Sequence, residues 1–129
     1  MSKEWFDKGL EIRNQVMGKA YTDAAFASTD PLDQDVQRIL TEFGYGAVWG
    51  RPGLPLKTRS LITIALLAAL NRPDELRHHI RGALRLGLTK TEVFEAMIQT
   101  MPYAGAPAMQ GGLRVAKAVV AELADKPKA

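Results

Sequence analysis

The sequence contains no cysteine, and its two histidines stand next to each other as His78 and His79. A chain without cysteine has no disulfide, no thiolate nucleophile, no CxxC redox pair and no thiolate ligand for zinc or an iron–sulfur cluster. Two adjacent histidines also cannot supply the imidazoles of a three-histidine metal site. The composition therefore excludes thiol chemistry and argues against a bound metal.

A strong charge of either sign is missing as well. The 129 residues carry 17 basic and 14 acidic side chains, which leaves a net charge of +3. Because no run of five or six basic residues occurs, neither nucleic acid nor a membrane surface is expected as a partner. Single arginines can still bind small acidic molecules, which therefore remain candidate ligands.

The longest apolar run extends from Leu61 to Leu70 and is interrupted only by Thr63. This is about half the length that a helix needs to cross a bilayer, so the run predicts a buried core helix. The first five residues lack the apolar stretch of a signal peptide. We therefore expect a soluble, cytoplasmic protein.

Apolar residues recur at helical spacing along most of the chain, and no segment alternates as a strand would. The pattern predicts an all-α protein of about six helices. One domain is expected at this length. It would span residues 1–129, with its core at about residues 5–123 and a frayed tail at residues 124–129.

Local signals predict where several helices begin and end. The proline after Asp30 suits a helix N-terminus, and glycine at position 87 suits a left-handed turn after a helix. Two glycines are expected to weaken the second helix at residues 44–46, and prolines are expected to break the chain at residues 102–107. The other predicted boundaries are an N-cap at Thr58, a helix end before Pro73, and a capping box from Thr89 to Glu92.

The helix that follows Pro73 carries the only concentrated chemistry. On a helical wheel, Arg72, Glu75 and His79 share one face beside the apolar stripe, whereas His78 points away. A half-buried imidazole beside a carboxylate is a tunable acid–base group, and Glu75 is expected to favour the imidazolium form of His79. An ordinary stabilising Glu–His pair has the same spacing. The apolar stripe consists of Leu76, Ile80, Ala83 and Leu84.

Two further arginines lie near a loop. Arg51 is in the turn from Trp49 to Pro55, and Arg59 is in the predicted first turn of the apolar helix. A guanidinium group presents a fork that suits a carboxylate. A salt bridge or a subunit contact would use the same residues, and the pattern does not separate these roles.

Several segments, in order along the chain, resemble the carboxymuconolactone decarboxylase family. They are residues 49–54, 58–65 and 71–84, supported by residues 9–18 and 103–108. Together they cover the chain from about Trp5 to Glu122.

The wider superfamily includes alkylhydroperoxidases, in which a CxxC motif precedes a histidine on the equivalent helix. The two cysteine positions correspond to Arg72 and Glu75, with His79 as the matching histidine, and the upstream relay glutamate corresponds to Ser60. The resemblance therefore points away from peroxidase activity.

The resemblance implies an all-α subunit that assembles into a homo-oligomer, a hexamer or a trimer, and that needs no cofactor or metal. The implied reaction is the decarboxylation of 4-carboxymuconolactone to the enol-lactone of 3-oxoadipate, in the β-ketoadipate pathway of aromatic catabolism. The lactone carbonyl of such a substrate is conjugated to the bond that breaks, so the substrate supplies its own electron sink. By this resemblance, His79 is the proton donor or the oxyanion stabiliser, and Glu75 orients its ring. Arg51 and Arg72 bind carboxylates, and Trp49 forms a wall of the pocket.

Some residues depart from the family pattern. Tyr103-Ala104-Gly105 stands where many members have Tyr-Cys-Gly, and residues 43–46 replace a more polar segment. These departures leave two alternatives open. The chain could be an isomerase or tautomerase of a related lactone or oxo acid, or a non-catalytic oligomeric module that binds a ligand.

Overall fold

A computed structural model describes residues 2–125 of the chain. These residues form eight α-helices and one π-helical segment, with no strand among them, which confirms the all-α prediction. The elements are α1 (Lys3–Met17), α2 (Lys19–Ala25), α3 (Pro31–Ile39), the π-helical segment (Leu40–Val48), α4 (Leu56–Ala69), α5 (Pro73–Arg85), α6 (Lys90–Gln99), α7 (Met101–Ala104) and α8 (Ala106–Ala124).

The chain divides into two compact units between Leu56 and Lys57, and each unit is described by itself. The single domain therefore stays a prediction. The predicted tail lies largely outside the described residues, because α8 extends to Ala124 and residues 126–129 follow it. Between residues 2 and 125, every helix is too short or too polar to cross a membrane.

In the first unit, α1 packs closely against the π-helical segment. A Cβ atom at Gly9 would collide with the carbonyl oxygen of Thr41, and one at Gly46 would collide with that of Trp5. Two glycines thus allow the two backbones to touch. The prediction that the second helix weakens at residues 44–46 is wrong, because the chain stays helical there and the missing side chain is used for packing.

A buried arginine organises the same unit. Arg13 is only 4% exposed, and its guanidinium donates hydrogen bonds to Thr41 Oγ1 at 3.1 Å and to Gln37 Oε1 at 2.8 Å. It also lies 5.6 Å from the ring centroids of both Phe26 and Tyr45. Because a planar cation can stack on rings while it donates in its own plane, Arg13 links α1 to three other segments of this unit.

The second unit is built around a core that α4, α5, α6 and α8 share. The predicted stripe of α5 is confirmed, since Leu76, Ile80 and Ala83 are 2%, 0% and 0% exposed. Glu122 on α8 accepts hydrogen bonds from Arg77 and Arg81 on α5. Apolar burial and this double ion pair both hold α5 against α8.

Most of the predicted helix ends are confirmed. The Asp30 carboxylate accepts a hydrogen bond from the backbone N–H of Leu32 at 2.9 Å, and Gly87 has a left-handed φ of 100° after α5. The capping box of α6 has both of its hydrogen bonds, at 3.0 and 2.9 Å. The N-cap at Thr58 is wrong, because α4 begins two residues earlier, at Leu56.

The sequence patterns missed two short helices, which is why about six were predicted. The first, α2, follows directly on the positive-φ residue Gly18. The second, α7, and the start of α8 occupy the predicted break at residues 102–107. Proline is tolerated in a first helical turn, so Pro102 and Pro107 start these helices, and Gly105 with φ of 94° separates them.

Two adjacent glycines test how closely α8 packs against α4 and α6. We expect Gly111→Ala to raise the free energy of unfolding by about 0.5–1 kcal/mol, because alanine favours the helix and its Cβ would meet nothing within 4 Å. At Gly112 the Cβ would lie 2.7 Å from Met97 Sδ and 3.2 Å from Ala68 Cβ. Gly112→Ala should therefore leave the protein less stable than Gly111→Ala by about 1–3 kcal/mol. Urea denaturation of both variants measures this difference, and equal stabilities would contradict the packing described for α8.

Candidate active site

The first residues of α5 place three candidate side chains along one side of a helix. Arg72 is the N-cap and Pro73 occupies the first turn, where its fixed φ suits helix initiation. Arg72 and Glu75 are exposed, whereas His79 is half-buried. His79 follows Arg72 by seven positions, which is about 10 Å along the helix axis. The structure thus places Glu75 and His79 within α5 and Arg72 at its N-cap.

The surroundings of His79 decide its charge. Burial lowers the pKa of His79 to about 4, and the neighbouring His78 lowers it further, while Glu75 acts in the opposite direction. Burial outweighs the carboxylate because an imidazolium loses its hydration inside the protein. Glu75 does favour the imidazolium, as expected, but burial and His78 outweigh it in the protein without a ligand. His79 is neutral at neutral pH.

This shift predicts a pH dependence of stability. The folded protein holds the pKa of His79 at about 4, below its ordinary value of 6.5. The unfolded chain therefore binds more protons between these values, and the free energy of unfolding falls as the pH is lowered through this range. From pH 7.5 to 5.0, we expect wild type to lose about 2 kcal/mol more than His79→Gln, which cannot titrate. Urea denaturation of both proteins at the two pH values measures this, and equal losses would contradict the shift.

Trp49 and Arg51 belong to the first unit, where the π-helical segment ends. The Trp49 ring stacks on Tyr45, with 5.7 Å between the ring centroids and 28° between the planes. Burial raises the pKa of Tyr45 to about 12, so its hydroxyl stays protonated. Arg51 is exposed in the following turn, and its backbone N–H bonds to the carbonyl of Val48 at 3.1 Å. Within this unit the structure places the two predicted residues in one turn.

The second unit also contains a cleft that sequence reasoning missed. It lies between the end of α4, the start of α5 and α8, and it has a volume of about 230 Å³. Arg72 lines it from α5, and Arg114 lines it from α8. The available signal was the pair of glycines at residues 111–112, which come just before an arginine on an otherwise apolar helix.

Two other features of this unit concern charge and polarity. The pKa of Glu122 is lowered by its hydrogen bond from Arg81 and by Arg77, so these two arginines are matched by a carboxylate. Ser60 is completely buried, and its hydroxyl oxygen makes no hydrogen bond within residues 2–125. Across the same residues, no three histidine, aspartate or glutamate side chains are grouped so that they could hold a metal ion.

Comparison with known proteins places this chain among decarboxylases. The 4-carboxymuconolactone decarboxylase of Acinetobacter baylyi is 40% identical over 123 residues, which make up 95% of this chain and 92% of that protein. Residues 34–118 match the sequence model of the Carboxymuconolactone decarboxylase family. The chain belongs to this family. The resemblance found in the sequence is confirmed.

Two further relatives extend the family comparison. The nitrosuccinic acid decarboxylase npaB of Metarhizium robertsii is 33% identical over 126 residues, 98% of this chain and 88% of that protein. An uncharacterized 15.0 kDa protein of Paracoccus denitrificans is 35% identical over 115 residues, 84% of this chain and 85% of that protein. Since two of these relatives are decarboxylases, the prediction of a carboxy-lyase is confirmed at the level of a decarboxylase of a lactone or another acid.

Proposed function

We propose that this family member decarboxylates 4-carboxymuconolactone, or a closely related lactone acid, without a cofactor. The observation that carries the proposal is the half-buried, neutral His79 on the same side of α5 as Glu75 and Arg72. The 40% identity to a 4-carboxymuconolactone decarboxylase over nearly the whole chain supports the choice of substrate.

The chemistry that the two named relatives share favours a reaction without a cofactor. Their names describe acids that carry their own electron-withdrawing group, a lactone in one and a nitro group in the other. When the carbon–carboxylate bond breaks, such a group accepts the electron pair and CO₂ leaves. The protein must then bind the anion, stabilise the negative oxygen that develops and allow a carbon atom to be protonated.

The neutral imidazole of His79 suits the second of these tasks, the stabilisation of the negative oxygen that develops. A neutral ring N–H can donate a hydrogen bond to the developing oxyanion without strengthening the binding of the leaving carboxylate as a full positive charge would. The negative charge that develops on the substrate as CO₂ leaves raises the pKa of His79. The imidazole then takes up a proton from solvent after the carbon–carboxylate bond has broken, and it can deliver this proton to the substrate carbon. Glu75 orients the ring in this scheme.

The remaining proposed roles concern substrate binding. Arg72 lies at the N-terminus of α5 and holds a carboxylate in this scheme. Arg51 and Trp49 are proposed as a second carboxylate ligand and a pocket wall, and the resemblance to the family supports both assignments.

A direct assay tests this proposal. We expect the purified protein to release CO₂ from 4-carboxymuconolactone, with nitrosuccinic acid tested in parallel as the competing substrate. His79→Ala should lower kcat/KM by more than about 100-fold, which is a typical loss for a general acid. His78→Ala, at the adjacent position, serves as the matched control and should change kcat/KM by only a few-fold. Equal activity of the two variants would contradict the role of His79.

The same assay separates the alternatives. A lactone product that forms without CO₂ release would indicate an isomerase or tautomerase. No turnover on either substrate, together with a melting temperature that rises with ligand, would indicate a non-catalytic binding module.

We further propose that the protein is a homo-oligomer, a hexamer or a trimer. Ile62 and Leu66 on α4 and Leu70 directly after it follow each other at four-residue spacing and are 45%, 55% and 61% exposed. An apolar stripe of this kind on an otherwise apolar helix is typical of a surface that another chain covers.

The oligomeric state can be measured directly by size-exclusion chromatography with light scattering. We expect wild type to elute as a trimer or hexamer, and Leu66→Lys to shift to smaller species because it buries a charge. Gln110→Lys introduces the same charge at an exposed polar position of α8 and should leave the assembly unchanged. A monomeric wild-type protein would contradict the proposal.

A further inference from the structure

The cleft between α4, α5 and α8 has the chemical character of an anion site. The chain reverses after α4 through Asn71, which has a positive φ of 57°, and the next residue is Arg72. Arg114 faces the same cleft from α8, and the walls between them are apolar, formed by Leu67, Leu76 and Val115. The lining contains two cationic side chains and no carboxylate.

The two cleft arginines differ from Arg77 and Arg81 in how their charge is matched. Arg77 and Arg81 both pair with Glu122. Neither Arg72 nor Arg114 forms an ion pair with any carboxylate in residues 2–125. Arg72 and Arg114 are exposed and line one small cleft from α5 and α8, so both cations attract an anion that enters it. The cleft is therefore arranged for a negatively charged occupant.

The backbone of α8 keeps the cleft open. Gly111 is one of its lining residues, and a Cβ atom there would meet nothing within 4 Å. The space next to this backbone position is therefore open. At about 230 Å³, the cleft is smaller than the usual pockets for whole ligands, which measure about 300–1,000 Å³. It suits a carboxylate group with a short carbon chain.

We propose that this cleft binds the carboxylate that the substrate retains through the reaction, with Arg72 and Arg114 as its two cationic ligands. The inference rests on the proposed decarboxylase function. A carboxylate that leaves as CO₂ loses its charge in the transition state, so a pair of cations on it would stabilise the ground state more than the single arginine proposed above and would slow the reaction. A retained carboxylate keeps its charge throughout, so binding it does not raise the activation barrier of the chemical step. Arg114 is thus a specificity-determining residue for substrates with a second carboxylate.

This assignment predicts a particular kinetic signature. Because the retained carboxylate binds equally in the ground state and the transition state, Arg114→Gln should raise KM for 4-carboxymuconolactone by about 10–100-fold. Its kcat should stay within about threefold of wild type. Arg85→Gln removes the same charge from the exposed C-terminal end of α5 and is the matched control, with KM unchanged.

A second variant tests the cleft without removing a charge. Gly111→Leu should fill the open space and raise KM as Arg114→Gln does, while Gly111→Ala should have a much smaller effect. Far-UV circular dichroism and melting temperatures of all four variants confirm that they are folded. If Arg114→Gln and Gly111→Leu both keep the KM of Arg85→Gln, the proposal is overturned.

A binding measurement separates this inference from the proposed function. Succinate, a dicarboxylate with no leaving group, is titrated into wild type, Arg114→Gln and Arg85→Gln by calorimetry. If wild type shows no turnover but binds succinate only when Arg114 is present, the decarboxylase proposal fails and the carboxylate cleft stands. If turnover is absent and succinate binding is absent or independent of Arg114, both proposals fail. Where turnover is present, the KM comparison decides.

Discussion

The burial of one face of α5 is the constraint on which the candidate site depends. Leu76, Ile80 and Ala83 must all contact the core of the second unit, and successive helical residues are rotated by 100°. Once that stripe faces inward, the directions of Glu75 and His79 are fixed by their positions on the helix. His79 lies half-buried at the border between core and surface, and Glu75 lies exposed beside it. At this border an imidazole loses enough water to be neutral and is still close enough to solvent to meet a ligand.

The arginines of the second unit fall into two groups according to whether a carboxylate lies beside them. Glu122 matches Arg77 and Arg81, which leaves these two side chains with a structural task. Arg72 and Arg114 line a cleft that contains no carboxylate. A decarboxylase of an acid with its own electron sink needs this combination, because cationic groups should hold the part of the substrate that keeps its charge. A neutral donor is better suited to the part where charge moves.

Features set by neighbouring residues along the chain were predictable. The capping box of α6, the N-cap at Asp30 and the glycine after α5 each depend on hydrogen bonds or φ values within a few residues. Features set by contacts between distant segments were not. The π-helical segment continues through residues 44–46, where Gly46 lets it touch α1. Helix propensity depends on the local sequence alone, so it cannot predict this contact.

The sequence by itself determined the helical class, the family resemblance and the shared face of Arg72, Glu75 and His79, because helical periodicity places residues on faces without reference to the rest of the chain. Only the tertiary structure decided the charge state of His79 and the partnership of Arg72 with Arg114. The first depends on how much water the packed helices exclude. The second joins residues 42 positions apart, and only the packing of α8 beside α4 and α5 brings them to one cleft.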